Sequence, residues 1–415
     1  MTNSKMVKSR RQFLSTLAIG GSALMGAVPA RAQRRQQPVA SRVRDAVLYV
    51  NEQAQFPFGF YFEHAGSLKV HQEGLQLMAT LGCNTTYLSL GDDDKSLAEL
   101  TSIYDQAHAL GIGIVGESPL HPLNKDMLAV DALRDHPACL GWTIGDDIMD
   151  QQPSELAKIA SEVRQRDPNH IVYASSNGIQ RQQRIRIEDF LYRGLDALAV
   201  QAYPVPSPRH WWDQEPGVKD LRLVYYRCRR LVQALEPVRM LPMCNPQAFT
   251  WWYESDDRYP TAAETDNMLY QALIAGVKGV LAYTLANCCR EEGEEESVRY
   301  FFDGQPELKA AWTRLASEVR TLSPYLLHGK RRTLTVDPSF DWVVAATWEY
   351  EGKTLIMATN CDTKPQPARV PLVGAPTAGE VRAVFADRPG DMRIADGFLR
   401  GTIGPLDVHV YELIT

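Results

Sequence analysis

Several common signatures are missing from this 415-residue chain. It has nine histidines and no H-x-H, H-E-x-x-H or C-x-x-C spacing, which speaks against a metal hydrolase or a thiolate metal centre. No G-x-S-x-G elbow is present, so serine-esterase chemistry lacks its strand–turn–helix nucleophile. Charge of one sign is also scarce: the formal net charge is −6, and the short basic "RRQQ" near the N-terminus is too small for a nucleic-acid face. Beyond residue 32 no apolar run is long enough to cross a bilayer. What remains is an ordinary globular composition, 45% hydrophobic and 23% charged, enough for a large core and a second domain.

The N-terminal segment stands apart. Arg10 and Arg11 precede Phe13 and Leu14, and a small, moderately apolar run ends in Ala30-Arg31-Ala32. The order of paired arginines, short Gly-rich run and A-x-A site resembles a twin-arginine export signal cut after Ala32. The expectation is a leader over 1–32, a linker over 33–44, and a periplasmic or secreted mature chain that meets the twin-arginine export machinery and no membrane afterwards. All seven cysteines, Cys83, Cys139, Cys228, Cys244, Cys288, Cys289 and Cys361, lie in the mature part. An odd number leaves at least one unpaired in a monomer, and their apolar neighbours predict buried thiols.

From residue 56 a unit recurs: apolar strand, polar loop, amphipathic helix, glycine, apolar strand. Strand segments fall at 56–63, 84–90, 112–117, 139–145, 171–176, 196–203, 238–245 and 279–285. Their continuous apolar character suits strands buried on both faces of a parallel sheet. Ser96 with Glu99, and Thr261 with Glu264, are capping-box pairs; Pro153 suits a first helical position. Eight such units predict an α/β fold, a (β/α)₈ TIM barrel over 45–327. An open doubly wound sheet is the alternative, but no Gly-rich phosphate turn follows the first strand. Past residue 328 short alternating strands with Asp, Gly, Asn and Pro turns predict a small C-terminal antiparallel β-sandwich over 328–415.

In such a barrel the chemistry sits at the C-terminal strand ends. "LGWTIGDDIMD" (140–150) ends the fourth strand in two adjacent acids, Asp146 and Asp147. Glu63 and His64 follow the first strand, Asp92 to Asp94 the second, Glu117 the third, and Asn177 the fifth. Tyr203 follows the sixth, Asn245 and Gln247 the seventh, and Tyr283 the eighth. Asp92 to Asp94 read as a solvated capping loop. Aromatics gather at the same end: Trp142, Tyr203, Trp211, Trp212, Phe249, Trp251, Trp252 and Tyr253. Sugar rings stack their C–H faces on aromatics while their hydroxyls need polar partners. Loop tryptophans Trp251 and Trp252 are the better platforms; Trp142, inside a strand, reads as wall.

Taken in order, "FPFGFYFEH", "LGWTIGDDI", "ALAVQAYPV", "PQAFTWW" and "RYPTAAETDNMLYQALIAGVKGVLAYTL" resemble bacterial glycoside-hydrolase-like TIM-barrel proteins, distant relatives of the cellulase and β-galactosidase clan. The resemblance covers most of 45–325. It implies that Trp142, Asp146 and Asp147 occupy the places of Trp, Asp and Glu in a Trp-x-x-x-Asp-Glu-Pro motif, with Ile148 at the proline. It further implies Asp147 as proton donor and Asp146 as its neighbour, with Glu63 or Glu117 as the second carboxylate. The family's strand-seven glutamate is replaced by "NPQAF", so Gln247 reads as a sugar-hydroxyl binder. His64, Trp142, Asn177, Tyr203, Trp251, Trp252 and Tyr283 complete the expected saccharide contacts. No cofactor and no metal are expected. The expected function is hydrolysis of an O-glycosidic bond. A catalytically inactive sugar- or protein-binding barrel, or a sugar lyase on the same scaffold, is the alternative.

Overall fold

The computed structural model describes residues 39–63, 68–89, 96–117, 127–148, 151–177, 194–206, 218, 220–251, 258–289, 297–334, 342–372, 378–388, 390 and 392–414. The leader and the sequence-predicted positions His64, Asp92 to Asp94, Trp211, Trp212, Trp252 and Tyr253 lie outside the described residues, as does the side chain of Glu63.

The chain begins with a small antiparallel sheet, β1 (Ser41–Arg44), β2 (Val47–Val50) and β3 (Gln53–Gln55). Residues 41–44, expected as linker, are therefore a strand. The sheet has a reason to form: Ser41 donates to Leu140 O and accepts from Ile171 N, at the starts of two barrel strands. Leu48 joins the barrel-interior core, with Val43 and Val50 packed against it, so the sheet closes the floor of the barrel.

Eight parallel strands follow: β4 (Phe58–Glu63), β5 (Thr85–Ser89), β6 (Gly113–Glu117), β7 (Cys139–Thr143), β8 (Ile171–Ser176), β9 (Ala197–Ala202), β10 (Leu241–Pro246) and β11 (Val280–Ala282). They close in chain order, β11 pairing with β4. Between them run α1 (Leu68–Leu81), α2 (Leu97–Ala109), α3 (Leu128–Leu133), α4 (Pro153–Arg166), α5 (Leu223–Leu235) and α6 (Ala262–Ala275); α7 (Pro306–His328) follows the last barrel strand. Both capping boxes form, at Ser96/Glu99 and Thr261/Glu264, and Gly276 ends α6 at φ 103°. No helix among the described residues is long and apolar enough to cross a membrane.

Strand alternation divides the core in two. Phe58, Phe60 and Phe62 face the helices, whereas Tyr61 joins Tyr87, Leu140, Tyr173 and Leu241 inside the barrel. A register shift between β6 and β7 inserts Leu140 as an extra residue. The bulge reverses the parity of β7 and turns Trp142 and Ile144 into the helix-facing core.

A short antiparallel pair, β12 (Ala286–Cys289) and β13 (Ser297–Tyr300), lies between β11 and α7. Beyond α7, β14 (Lys330–Leu334), β15 (Val343–Tyr350), β16 (Lys353–Asn360), β17 (Gln366–Pro371), β18 (Ala378–Ala383), β19 (Arg393–Ala395), β20 (Phe398–Ile403) and β21 (Val408–Ile414) form one antiparallel sheet in the order β14-β15-β16-β21-β18-β19-β20-β17. The sequence predicts two packed sheets. The structure instead curls one sheet until its halves share a core, with Val343 and Ile356 on one side and Val370, Ile394 and Leu399 on the other.

This domain is bonded to the barrel through α6, whose residues Thr265 to Ala275 are buried on every side. Asn267 Nδ2 donates to Thr359 Oγ1 (2.7 Å), Asn360 O (2.8 Å) and Leu406 O (3.0 Å). Arg388 grips Glu318 with two bonds of 2.8 and 2.9 Å, reaches Asp266 Oδ2 at 3.2 Å, and lies 4.8 Å from the Tyr270 ring. Arg314 pairs with Asp266 as well.

Candidate active site

The fourth barrel strand delivers Asp146 and Asp147 to the C-terminal mouth, as its sequence predicts. Asp146 is half-buried and Asp147 exposed. Asp147 takes a left-handed backbone conformation, φ 48°, a region that asparagine and aspartate enter more readily than other side chains. One amide bridges the pair. Gln201 Nε2, at the end of β9, donates to Asp146 Oδ1 at 2.9 Å and to Asp147 Oδ1 at 2.8 Å, and lies 3.3 Å from Ser175 Oγ.

Behind the pair runs a polar chain across the barrel. Ser175 Oγ donates to Asn245 Oδ1 (2.9 Å), and Asn245 Nδ2 donates to Leu281 O (2.7 Å). Tyr173 OH lies 3.4 Å from Asn245 Oδ1 and 2.8 Å from Tyr61 OH. Tyr61 stacks on Tyr87 with centroids 4.1 Å apart. Beneath, the buried Arg227 of α5 donates to the Gln201 carbonyl at 2.8 Å and reaches the Asn177 carbonyl at 3.5 Å, fixing the ends of two strands.

Burial raises the Asp146 carboxyl above the ordinary aspartate range. Hydrogen bonds from Ser175, the Asp147 backbone and Gln201 offset this only in part. Burial likewise pushes the phenols of Tyr61 and Tyr173 up, so both remain neutral hydrogen-bonding groups.

An aromatic group stands beside this chain. Tyr203 and Phe249 are 5.0 Å apart edge to face, Phe249 and Trp251 4.8 Å, and Tyr203 and Tyr283 5.8 Å. Tyr283 also approaches Tyr61 at 5.7 Å, which joins the aromatic group to the polar chain. Trp251 and Tyr283 are half-buried, Tyr203 and Phe249 buried.

Other expected residues stand elsewhere. Trp142 is 1% exposed, and its Nε1 donates to Asp167 Oδ2 at 2.7 Å, so it forms wall and offers no sugar face. Gln247 is 0% exposed, and its amide is fully engaged by backbone. Its Oε1 accepts from Val205 N (2.8 Å), and its Nε2 donates to Val205 O (2.8 Å) and Phe249 O (3.1 Å). It pins the loops after β9 and β10 to each other and presents no amide to a ligand. Glu117 is half-buried at the end of β6, and Asn177 half-buried just past β8.

Sequence reasoning passed over Gln201, Arg227 and the tyrosine pair. Gln201 sits in an apolar strand, "ALAVQA", where one polar residue among buried neighbours was the available signal. Among the described residues, metal-ligand types gather at the opposite end of β7, where Cys139, Asp167 and His170 lie within 4.8 Å of one another. Asp167 already accepts from Trp142 and from His170 Nδ1 at 2.8 Å, and burial holds the Cys139 thiol protonated. Three donors fall short of the four that a closed zinc site takes. Cys83, Cys139, Cys228, Cys244 and Cys361 are free, buried thiols.

No protein-family model matches the sequence, and no curated protein matches it. Solved structures do match. One described as a glycoside hydrolase aligns over 90% of this chain and 96% of its own, at 12% identity and a TM-score of 0.64. A glycoside hydrolase of family 5 from Bacteroides vulgatus aligns over 90% and 93%, at 12% identity and a TM-score of 0.62. An α-amylase from Geobacillus thermoleovorans, solved with acarbose, aligns over 90% and 99%, at 13% identity and a TM-score of 0.58. These likenesses establish the fold alone: a (β/α)₈ barrel followed by an antiparallel β-domain.

Proposed function

We propose that the chain is an exported glycoside hydrolase that cleaves an O-glycosidic bond in an oligo- or polysaccharide, with 45–327 as catalytic domain and the antiparallel β-domain over 328–415 as its companion. The observation that carries this reading is the bridged acid pair at the barrel mouth. Asp147 is exposed at the mouth, so it is the residue that delivers the proton to the leaving oxygen. Asp146 lies beside it, its proton affinity raised by burial, and is positioned by Gln201 and Ser175. Hydrolysis also needs a second carboxylate as base or nucleophile, for which Glu117 ends β6, the strand beside β7, and Glu63 ends β4, two strands further round the barrel. Tyr203, Trp251 and Tyr283 supply the apolar side of a sugar site, with Asn177 just past β8, and the sequence resemblance adds His64 and Trp252 as sugar contacts.

A screen of aryl glycosides and polysaccharides with product analysis tests the activity. On a natural substrate, Asp147→Asn should lower turnover about 10²–10⁴-fold, the usual worth of general acid catalysis, with sugar binding kept. Nitrophenyl glycosides, whose leaving groups need little protonation, should suffer less. Near-wild-type turnover of Asp147→Asn on a natural glycoside would sink the assignment and move the test to Glu117 and Glu63.

One observation favours a second reading, a barrel that binds sugar without cleaving it. Strand β10 ends in Asn245 and Gln247, both with their amides engaged internally, where the resemblance leads one to expect a nucleophilic acid. Sugar binding with no released product across the screen would support that reading over hydrolysis.

Export follows from the leader. Replacing Arg10 and Arg11 with lysine should hold the protein in the cytoplasm, and the mature chain should begin near Gln33. Unchanged periplasmic yield would remove the export proposal.

A further inference from the structure

At the floor of the barrel, opposite the acid pair, a cavity of about 380 Å³ opens between α5, α6, α7 and the first strands of the β-domain. Its size falls at the lower end of the roughly 300–1,000 Å³ typical of small-molecule sites. Leu273, Val277, Leu326 and Trp348, all buried, give it apolar walls. Lys278 and Arg331, both half-buried, also line it.

Neither cation makes a salt bridge among the described residues; Asp45 acts on Lys278, and Glu236 on Arg331, only through space. Lys278 Nζ donates to Leu327 O at 3.2 Å, and Arg331 Nη1 donates to Ile274 O at 3.0 Å and Thr333 Oγ1 at 2.9 Å. The carbonyls belong to the last turns of α7 and α6, whose partial negative charge offsets the cations only in part. The hydrogens on Arg331 Nε and Nη2, and the rest of the Lys278 ammonium, have no acceptor among the described residues. Gly276 keeps the guanidinium where it is, since a Cβ there would lie 2.5 Å from Arg331 Nε.

The acids that line the cavity stand at its rim. Asp45 pairs with Arg239, both largely exposed, and Glu236 is exposed. Burial depresses the proton affinity of Lys278 and of Arg331, and a negative partner would relieve that penalty.

We propose that this cavity binds a small organic anion, a carboxylate or phosphate head on an apolar body, with the head between Lys278 and Arg331 and the body against Trp348. A guanidinium fork matches either oxyanion head, and a lysine adds a point charge. The site lies across the barrel from the acid pair, so it stands or falls independently of glycoside hydrolysis.

Titration calorimetry on the full chain with benzoate and with phenyl phosphate tests it, with benzyl alcohol as the neutral body. At least one anion should bind, and benzyl alcohol should bind about tenfold more weakly or worse. Preference for benzoate or for phenyl phosphate tells which head the site takes. Arg331→Gln and Lys278→Gln should each weaken the anion about tenfold. Should either variant fold poorly, the wild-type chain still decides. Acetylation of Lys278 by an N-hydroxysuccinimide ester, read by peptide mass spectrometry, should fall several-fold as the anion saturates. No heat from either anion, equal affinity for benzyl alcohol, undiminished binding by folded variants, or unchanged Lys278 labelling would overturn the proposal.

Discussion

Two acid pairs lie partly or wholly out of water in this molecule, and they are treated in opposite ways. Asp266 and Glu318, where α6 and α7 meet the β-domain, face Arg388 and Arg314, with Tyr270 OH adding a 2.8 Å bond to Glu318. Asp146, at the barrel mouth, is touched by an amide and a hydroxyl, those of Gln201 and Ser175. Burial raises both Asp146 and Asp266, but at the junction the arginines pull Asp266 back. Charge-matched acids lock two parts of a fold together. An acid held by neutral donors keeps a proton within reach, which is what acid catalysis requires.

Breaking the matched pair should have the largest effect. Arg388→Met leaves Glu318 and Asp266 buried without their main counter-charge and should lower stability by about 3–5 kcal/mol in urea unfolding. Adding Glu318→Gln and Asp266→Asn should restore part of that. A loss near zero for Arg388→Met would show that the junction cluster is solvated after all.

At the mouth, the amide is the part to remove. Gln201→Leu takes the shared donor from two carboxylates and should cost about 1–3 kcal/mol of stability in urea unfolding. Gln201→Glu puts a third acid there and should be worse than Leu. If Glu were the milder change, the bridge would not act as a donor.

The aromatic flank offers a smaller test. Trp251→Ala should weaken sugar binding by about 1–3 kcal/mol in calorimetry. Intact sugar affinity with a lower melting point would make Trp251 a packing residue.

The smallest effect is a pH dependence. A carboxyl whose folded-state proton affinity is raised contributes stability at low pH and loses it as pH rises through its folded value. Asp146→Asn cannot ionise, so it should gain melting temperature relative to wild type on going from about pH 4 to about pH 8. The opposite slope would show that Asp146 is stabilised as the anion.

The barrel was largely legible from the chain because each of its strands is a continuous apolar run between helical patterns. Strand ends were close as well: Ile171–Ser176 matched to the residue, and β10 began three residues later than read, at Leu241. The floor sheet escaped because "SRVRDAVLYVNEQAQ" alternates too weakly to stand out, and its strands are fixed by contacts with Leu140 and Ile171 far along the chain. The direction of Trp142 escaped for a related reason. A one-residue bulge sets it, and the bulge is a property of the pairing between β6 and β7 rather than of either segment. The acid pair was readable from its place at a strand end. The groups that hold it, Gln201 and the Ser175–Asn245–Tyr173 chain, come from strands far apart in sequence, and their meeting follows from closure of the barrel.

The left-handed main chain at Asp147 bears on which acid can stand there. At φ 48° an aspartate or asparagine is tolerated far better than a longer side chain. Handedness of one residue thus favours the shorter acid here without excluding the longer one, since Glu52 and Glu351 hold φ 67° and 49° in this same chain. It also makes asparagine the natural probe of that position, since it can follow the same turn of the chain while giving up the proton. Reach and backbone are tied together here: lengthening the side chain to match the family pattern would weaken the preference for this turn while carrying the carboxyl one methylene further from Gln201.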